Sequence, residues 1–384
     1  MRILHTSDWH IGRSFHGHST LDALAEVLDV LVGQVRAYDV DVVVVAGDVF
    51  DSAAPSAACY PLLTRTLAAL ADARARVVVT SGNHDSAARL GFQSALLRSE
   101  ITVVTDPLSV GTPITIDDAH GPVHFYGIPY LEPAIVRHLW EGVELRSQAQ
   151  TIGHAMELVR RDAAARGGRS VAIAHCFAAG VEATPGVERE IRQGGIDNVP
   201  LPAFDGPDYV ALGHIHGRQQ LSDRVRYAGA PLHYSFGEAS KPRGSWLVDL
   251  DATGLAAVEW LALPVPRPLV VLRAPFDDLL SDGAFEAHVD HWVRAEYTDA
   301  TPQLDPMRRL QARFPWCATV AHTPAEPRRD DGLGYARRVR AARDEAEIID
   351  AFLTHVREGE GASEVERELI REVLDSRAVT EARS

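Results

Sequence analysis

Five short, largely apolar runs punctuate the first part of the chain: Arg2 to Thr6, Val42 to Ala46, Val77 to Ser81, Val171 to Ala174 and Tyr209 to Leu212. Each is too short for a helix and rich in β-branched residues, which predicts strands buried on both faces. Between them the apolar period changes to that of a helix. Thr20 to Tyr38 carries Leu21, Leu24, Leu28, Leu31 and Val35, and Ser56 to Ala73 carries Leu62, Leu63, Leu67 and Leu70. Ser86 to Arg98 and Thr151 to Arg166 predict two further helices. From about Arg224 the pattern turns to strands alone, at Val225 to Ala228, Ser245 to Leu250 and Ala256 to Leu261. Alternating strands and helices followed by a run of strands predict an α/β fold, a two-sheet sandwich flanked by helices.

The proline-punctuated stretch Leu263 to Leu269 ends this region and sets a domain over residues 1–262. A small α+β unit is expected over 268–321. Its strands are Val270 to Arg273, Arg294 to Tyr297 and Trp316 to Val320, and its helices Ala284 to His291 and Asp305 to Phe314. Residues 322–343, with Pro324, Pro327, Gly332, Gly334 and six arginines, read as a linker. Two amphipathic helices follow within 344–378. In the first, Ile348, Phe352 and Val356, with Ile349 and Leu353, form one apolar stripe; Val365, Leu369, Ile370 and Val373 repeat it in the second.

The polar residues just beyond the early strands carry the chemistry. They are Asp8-Trp-His10, Gly47-Asp48, Gly82-Asn83-His84-Asp85, His175, Gly213-His214 and His216. Strand ends on one edge of a sheet converge, so residues far apart in sequence can line a single crevice. Carboxylate, amide oxygen and imidazole without cysteine suit hard-to-borderline divalent ions. Mn2+ fits best, ahead of Fe2+, Zn2+ or Mg2+, the last poorly matched to so much nitrogen. A carboxylate can also offer one oxygen to each of two ions ~3.5–4 Å apart, which an imidazole cannot, so a bridging aspartate fits a two-metal site. The competing reading makes the aspartates turn residues and the histidines core residues. It explains any one position but not the whole ordered set.

The order D-x-H, G-D, G-N-H-D, H, G-H-x-H resembles the calcineurin-like metallophosphoesterases. Three longer stretches narrow the likeness: Leu4-His-Thr-Ser-Asp8-Trp-His10-Ile-Gly12, Ala46-Gly-Asp48-Val-Phe50-Asp51 and Ala228-Gly-Ala-Pro-Leu-His-Tyr-Ser-Phe-Gly-Glu238. They are similar to the SbcD family, the nuclease subunits of bacterial SbcCD complexes, densely over about residues 1–250 and thinly beyond. The resemblance implies that Asp8, His10, Asp48 and His216 hold one ion and Asp48, Asn83, His175 and His214 the other. It gives His84 a catalytic role, protonating the leaving oxygen or stabilising the transition state, with Asp85 orienting its imidazole or else capping the helix after it. Archaeal relatives carry a second catalytic histidine three residues after the bridging aspartate. This chain has Asp51 there, so that role does not carry over. Arg13 is a candidate phosphate contact, and His16, His18 and His233 read as loop or packing residues near the site. The 268–321 unit resembles the family's capping domain.

Composition adjusts this picture in three places. The net charge of −15 argues against gripping DNA by charge alone, although 12 acidic residues against 5 arginines put much of it in 344–384. Lys241 is the one lysine, so basic contacts fall to arginine. Three cysteines without metal spacing, a start that enters a strand directly and no apolar run of 18 residues predict a reduced, cytoplasmic protein with no membrane segment.

The function expected from the resemblance is a Mn2+-dependent DNA nuclease, a 3′ to 5′ double-strand exonuclease and a hairpin or single-strand endonuclease. It would act in DNA end processing with an SbcC-like, SMC-type coiled-coil ATPase, as a homodimer within a heterotetramer. The apolar stripes of the tail, poorly buried by the helix pair alone, would dock on that partner or fold back on the catalytic domain. The rivals are a small-molecule phosphodiesterase or phosphatase of the same superfamily, and a non-catalytic scaffold on this fold.

Overall fold

The apolar runs become neighbouring strands in the computed structural model, which describes residues 1–178, 180, 198–324, 332–357 and 359–381. One six-stranded sheet is ordered Gly254–Ala262, Gly244–Asp251, Arg2–Thr6, Val42–Ala46, Arg76–Thr80, Ile101–Val104. The last four of these run parallel, with Ile3 opposite Val42 and Ala46 opposite Thr80. The second sheet is ordered Gln219–Gln220, Val225–Tyr227, Tyr209–Gly213, Arg169–His175, Gly121–Gly127, Ile114–Asp118. Its central strands are parallel too, and Gly213 pairs with His175.

Side-chain alternation sorts the buried runs into three layers. Ile3, Val42, Val44 and Val78 of the first sheet meet Val171, Ile173, Tyr209 and Ala211 of the second between the sheets. Leu4, Val43, Val45, Val77 and Val79 face outward, under the helices Leu21–Ala37 and Cys59–Asp72. Ala172, Ala174, Val210 and Leu212 pack beneath the helix Gln148–Arg166. These strands read as apolar throughout because both of their faces are covered. Polar contacts also cross the inner layer, Trp246 Nε1 donating to the Tyr227 carbonyl at 2.9 Å among them. His5 donates from Nε2 to the Leu212 carbonyl at 3.1 Å and accepts from the Tyr209 hydroxyl at Nδ1 at 2.9 Å. Burial pushes its pKa down to about 3, so this is a neutral cross-tie.

The chain divides into two compact units, residues 1–270 with 290–293, and 271–289 with 294–384. The second unit is built on a three-stranded sheet, Leu269–Ala274, Trp292–Tyr297, Cys317–His322, and its core contains Phe276, Leu279, Leu310 and Phe314. Farther on, the helices Glu345–Val356 and Glu364–Glu381 are tied by the Arg357–Glu366 pair, 2.8 Å in both arms.

Several expectations need correction. The helix expected over Ser86 to Arg98 is only Ala87–Leu90 and a 3-10 turn at Ser94–Leu96. Gly91 ends the first, Gln93 turns left-handed at φ 57°, and Phe92 and Leu96 stay 72% and 79% exposed, so the apolar spacing there does not mark a core face. Ala284 to His291 is a 3-10 segment, Gly283–His288, preceded by a short helix at Phe276–Ser281 that the pattern did not reveal. Within the stretch read as a linker, Gly332–Ala341 is helical. Its arginines and alanines are strong helix formers and outweigh the glycines, and Tyr335 stacks on His355 of the next helix, 4.6 Å between ring centres.

Candidate metal centre

The parallel strands deliver their polar termini to one rim. Asp8, His10, Asp48 and Asn83 come from the first sheet, and His175, His214 and His216 from the second. Asp8, His10, Asp48, His175 and His216 are buried, while Asn83, His84 and His214 are half-buried. Asp48 Oδ2 lies 3.6 Å from His10 Nε2 and 3.4 Å from His175 Nε2, with its Oδ1 accepting from the His84 N–H at 2.8 Å. On one side of Asp48, His10 Nε2 faces His216 Nε2 at 3.1 Å. On the other, Asn83 Oδ1 stands between His175 Nε2 at 2.9 Å and His214 Nδ1 at 3.0 Å. Asp8 accepts from the His214 N–H at 2.9 Å, which links the two sheets directly.

The backbone is shaped for this convergence. Asp8, His10, Asp48 and His214 all have positive φ, at 53°, 46°, 48° and 107°. Each non-glycine residue held there costs about 1–3 kcal/mol, a strain that tends to gather at functional sites. Two glycines are required by close approach. A Cβ on Gly82 would strike the Asp48 carboxylate and backbone nitrogen, and one on Gly47, itself at φ 79°, would strike the His175 ring. The glycines of the G-D and G-N-H-D pieces are therefore there to let Asp48 and His175 approach.

The donor set fits divalent ions. Imidazole nitrogens, carboxylate oxygens and an amide oxygen point at one another. Three overlapping groups (Asp8, His10, His216; His10, Asp48, His84; Asp8, Asp48, His175) each hold their donor atoms within 4.8 Å. The electrostatics agree. Burial and the nearby Asp48 push Asp8 up to about 7, against the pull of His175. Burial also acts to raise Asp48, but the imidazoles of His175, His10 and His84 hold it well below the usual carboxylate range. Burial opposes charge on His175, yet Asp48 and Asp8 bring it up to about 9. Burial takes His214 and His216 down to about 3 and 4, which leaves lone pairs available as donors. Two carboxylates enclosed together are a poor arrangement without added positive charge, and divalent cations supply it.

The surrounding contacts revise some roles. His175 donates from Nδ1 to the Ala46 carbonyl at 3.0 Å, which fixes its tautomer with Nε2 turned inward. His10 Nδ1 lies 3.2 Å from Asp51, whose same oxygen takes Arg13 at 3.1 Å. Asp51 is thus a functional neighbour that sequence reasoning noted only as a departure, and Arg13 is engaged at the edge of the centre, 4.8 Å over the Tyr234 ring. Asp85 does not orient His84. Its carboxylate accepts from the backbone N–H groups of Val49, Phe50 and Gly82, at 3.0, 2.8 and 2.9 Å. The helix after it is capped by Ser86 instead. A carboxylate beside three unpaired backbone donors serves them first, so Asp85 ties the Asp48 loop to the Asn83 loop. His84 is oriented through Nδ1, which donates to the Asp51 carbonyl at 2.8 Å. His233 donates to the Lys241 carbonyl and His16 packs edge-on to Phe15, so both are packing residues.

Residues 1–218 match the calcineurin-like phosphoesterase family, and the chain belongs to that family. The fold and the buried Asp/His cluster define a metal-dependent phosphoesterase. Residues 265–357 match a second model, SbcD_C, described as the type 5 capsule protein repressor C-terminal domain. Among solved structures, the chain is similar to a Thermus thermophilus protein at 15% identity, covering 68% of this chain and 98% of that one, TM-score 0.40. A dimetal phosphatase from Danio rerio is similar at 16% identity, over 68% and 98% of the two chains, TM-score 0.40. Among the described residues no helix is long and apolar enough to cross a membrane.

Proposed function

We propose that the chain is the nuclease subunit of an SbcCD-type complex, a Mn2+-dependent DNA phosphodiesterase working with an SMC-type ATPase. The observation that carries this is one conjunction. Asp, Asn and His side chains meet at one rim, and the same chain carries a C-terminal match to the SbcD type. On this reading 1–262 is catalytic, 268–321 caps it, 322–343 connects, and 344–378 meets the ATPase. Asp8, His10, Asp48 and His216 would hold one ion, and Asp48, Asn83, His175 and His214 the other. Divalent ions bound there would supply an activated nucleophile and a clamp for phosphate charge. The chain's own part is to position and to move protons. Asp48 stands between the two donor groups, Asn83 adds an oxygen without adding charge, and His84 offers Nε2 to the departing oxygen while its Nδ1–H stays on the Asp51 carbonyl.

The test is incubation with Mn2+ and three substrates, hairpin DNA, linear duplex and a cyclic nucleotide. Hairpin cutting supports the reading. Cleavage of the cyclic nucleotide alone would favour a small-molecule phosphodiesterase, and no cleavage at all a scaffold.

Two further results are expected. His84→Gln should leave metal content unchanged and lower turnover by ~10²-fold or more, the usual scale for a proton donor; loss of the ions would make His84 a ligand. Metal affinity should also fall as pH is lowered. His175 and Asp8 hold protons below about 9 and about 7 in the metal-free protein, and both must be released on binding. The logarithm of the overall constant for binding two Mn2+ ions should therefore rise with pH at a slope of about 2 below neutrality and about 1 from there to about pH 9, one proton coming from each ion's ligand set. A flat profile from acid to neutral pH would remove these two groups from the centre.

A further inference from the structure

The segment 228–243 has little regular structure beyond a 3-10 turn at Phe236–Glu238, yet it encloses an ion pair. Glu238 and Arg243 meet at 2.7 Å with side chains 0% and 1% exposed. Such a pair is a poor source of stability, since apolar residues of similar volume usually serve as well, so position is the better explanation for it. Both partners reach His216. Arg243 donates to the His216 carbonyl and, at 3.2 Å, to that of Ala230. Glu238 sets Oε1 3.5 Å from His216 Nδ1, while its Oε2 takes Arg243 and the Tyr234 N–H at 2.9 Å. The other ring nitrogen of His216 is the one turned toward His10. The segment also touches the opposite strand end, because the Tyr234 hydroxyl donates at 2.8 Å to the carbonyl of Trp9, between Asp8 and His10.

We infer that Glu238, held in place by Arg243, is the positioning residue for His216, directing its Nε2 at a divalent ion. A carboxylate on the far nitrogen of a metal-binding imidazole fixes tautomer and ring plane and strengthens the donor. The inference rests on His216 being a ligand, as proposed above. It assigns Glu238 no contact with substrate.

The experiment follows Mn2+ binding by competition titration, together with melting temperature, on the full chain. Glu238→Gln should weaken one of two ions by about 10–100-fold and leave the other unchanged. Glu238→Gln combined with Arg243→Met, which removes both charges, should do the same without lowering the melting temperature, and carries the test if the single variant misfolds. In a His216→Ala background, Glu238→Gln should cost nothing further. Wild-type affinity for both ions in a folded Glu238 variant would overturn the inference, as would an equal loss in the His216→Ala background. Retention of both ions by His216→Ala alone would instead overturn the ligand assignment, which separates the two failures.

Discussion

Asp48→Asn is expected to leave the fold standing while abolishing phosphoester hydrolysis with every divalent metal. The substitution is close to isosteric, and asparagine accepts the left-handed backbone of this position, φ 48°, as readily as aspartate does. What changes is charge. Oδ2 of Asp48 lies within 3.6 Å of one imidazole and 3.4 Å of another, on either side of the centre, so its negative charge is shared by both donor groups. An amide either keeps an oxygen there without the charge or presents N–H donors where a cation belongs. Metal content by elemental analysis should fall from about two ions per chain toward zero, since one residue serves both. Two tightly held ions in the variant would end the bridging assignment.

Removal of 344–384 is expected to separate cutting from assembly. The donor residues all precede Arg224 in sequence, so cleavage of short hairpin DNA should survive the truncation. Ile348, Phe352 and Val356 remain 41%, 50% and 46% exposed although their helix packs on its neighbours, and Val365, Leu369 and Val373 are at least as open. Ile349 and Leu353 are half-buried, so the expected stripe divides. One part serves the helix bundle, and the other stays exposed. Burying each exposed side chain is worth ~1.5–3 kcal/mol. Co-purification with the coiled-coil ATPase, and any ATP-stimulated cutting of duplex, should disappear on truncation. Phe352→Glu should reproduce much of that loss, because it sets a charge inside an apolar contact. Full-strength binding by the truncated chain would sink the tail hypothesis and leave the catalytic one untouched.

The strands that build the centre were legible in the sequence because they are the fully buried ones. Arg2–Thr6 and Val42–Ala46 fall where the apolar runs place them, and the polar residues behind them reach the same rim. The outer strands of the two sheets, Ile101–Val104, Ile114–Asp118 and Gly121–Gly127, were not recognised. They lie at or near sheet edges, where exposure breaks the apolar run, and Pro122 with its flanking glycine reads as a turn. Second-layer contacts were the least visible. Asp85 looked like a partner for the histidine beside it, but adjacency in sequence does not specify direction, and the carboxylate turns to backbone donors across the loop. Glu238 lies 22 residues beyond His216 and closes a stretch that carries the family resemblance, but nothing in that pattern gives its direction, and only the folded geometry shows that it faces His216.

Each donor group of the centre draws side chains from both sheets, and the gap between those sheets is filled by Val44, Val78, Ile173, Phe125 and the His5–Tyr209 tie. The spacing at the rim is therefore gauged in the interior, by side chains that never meet a substrate. Cores relax only in part when a methylene is removed, so exchanges such as Ile173→Val would shift the distances between donor atoms within each group, such as those from His216 to His10 and from Asn83 to His175. Adaptation to heat, cold or a different ion could thus proceed by repacking this inner layer, with every residue at the rim unchanged.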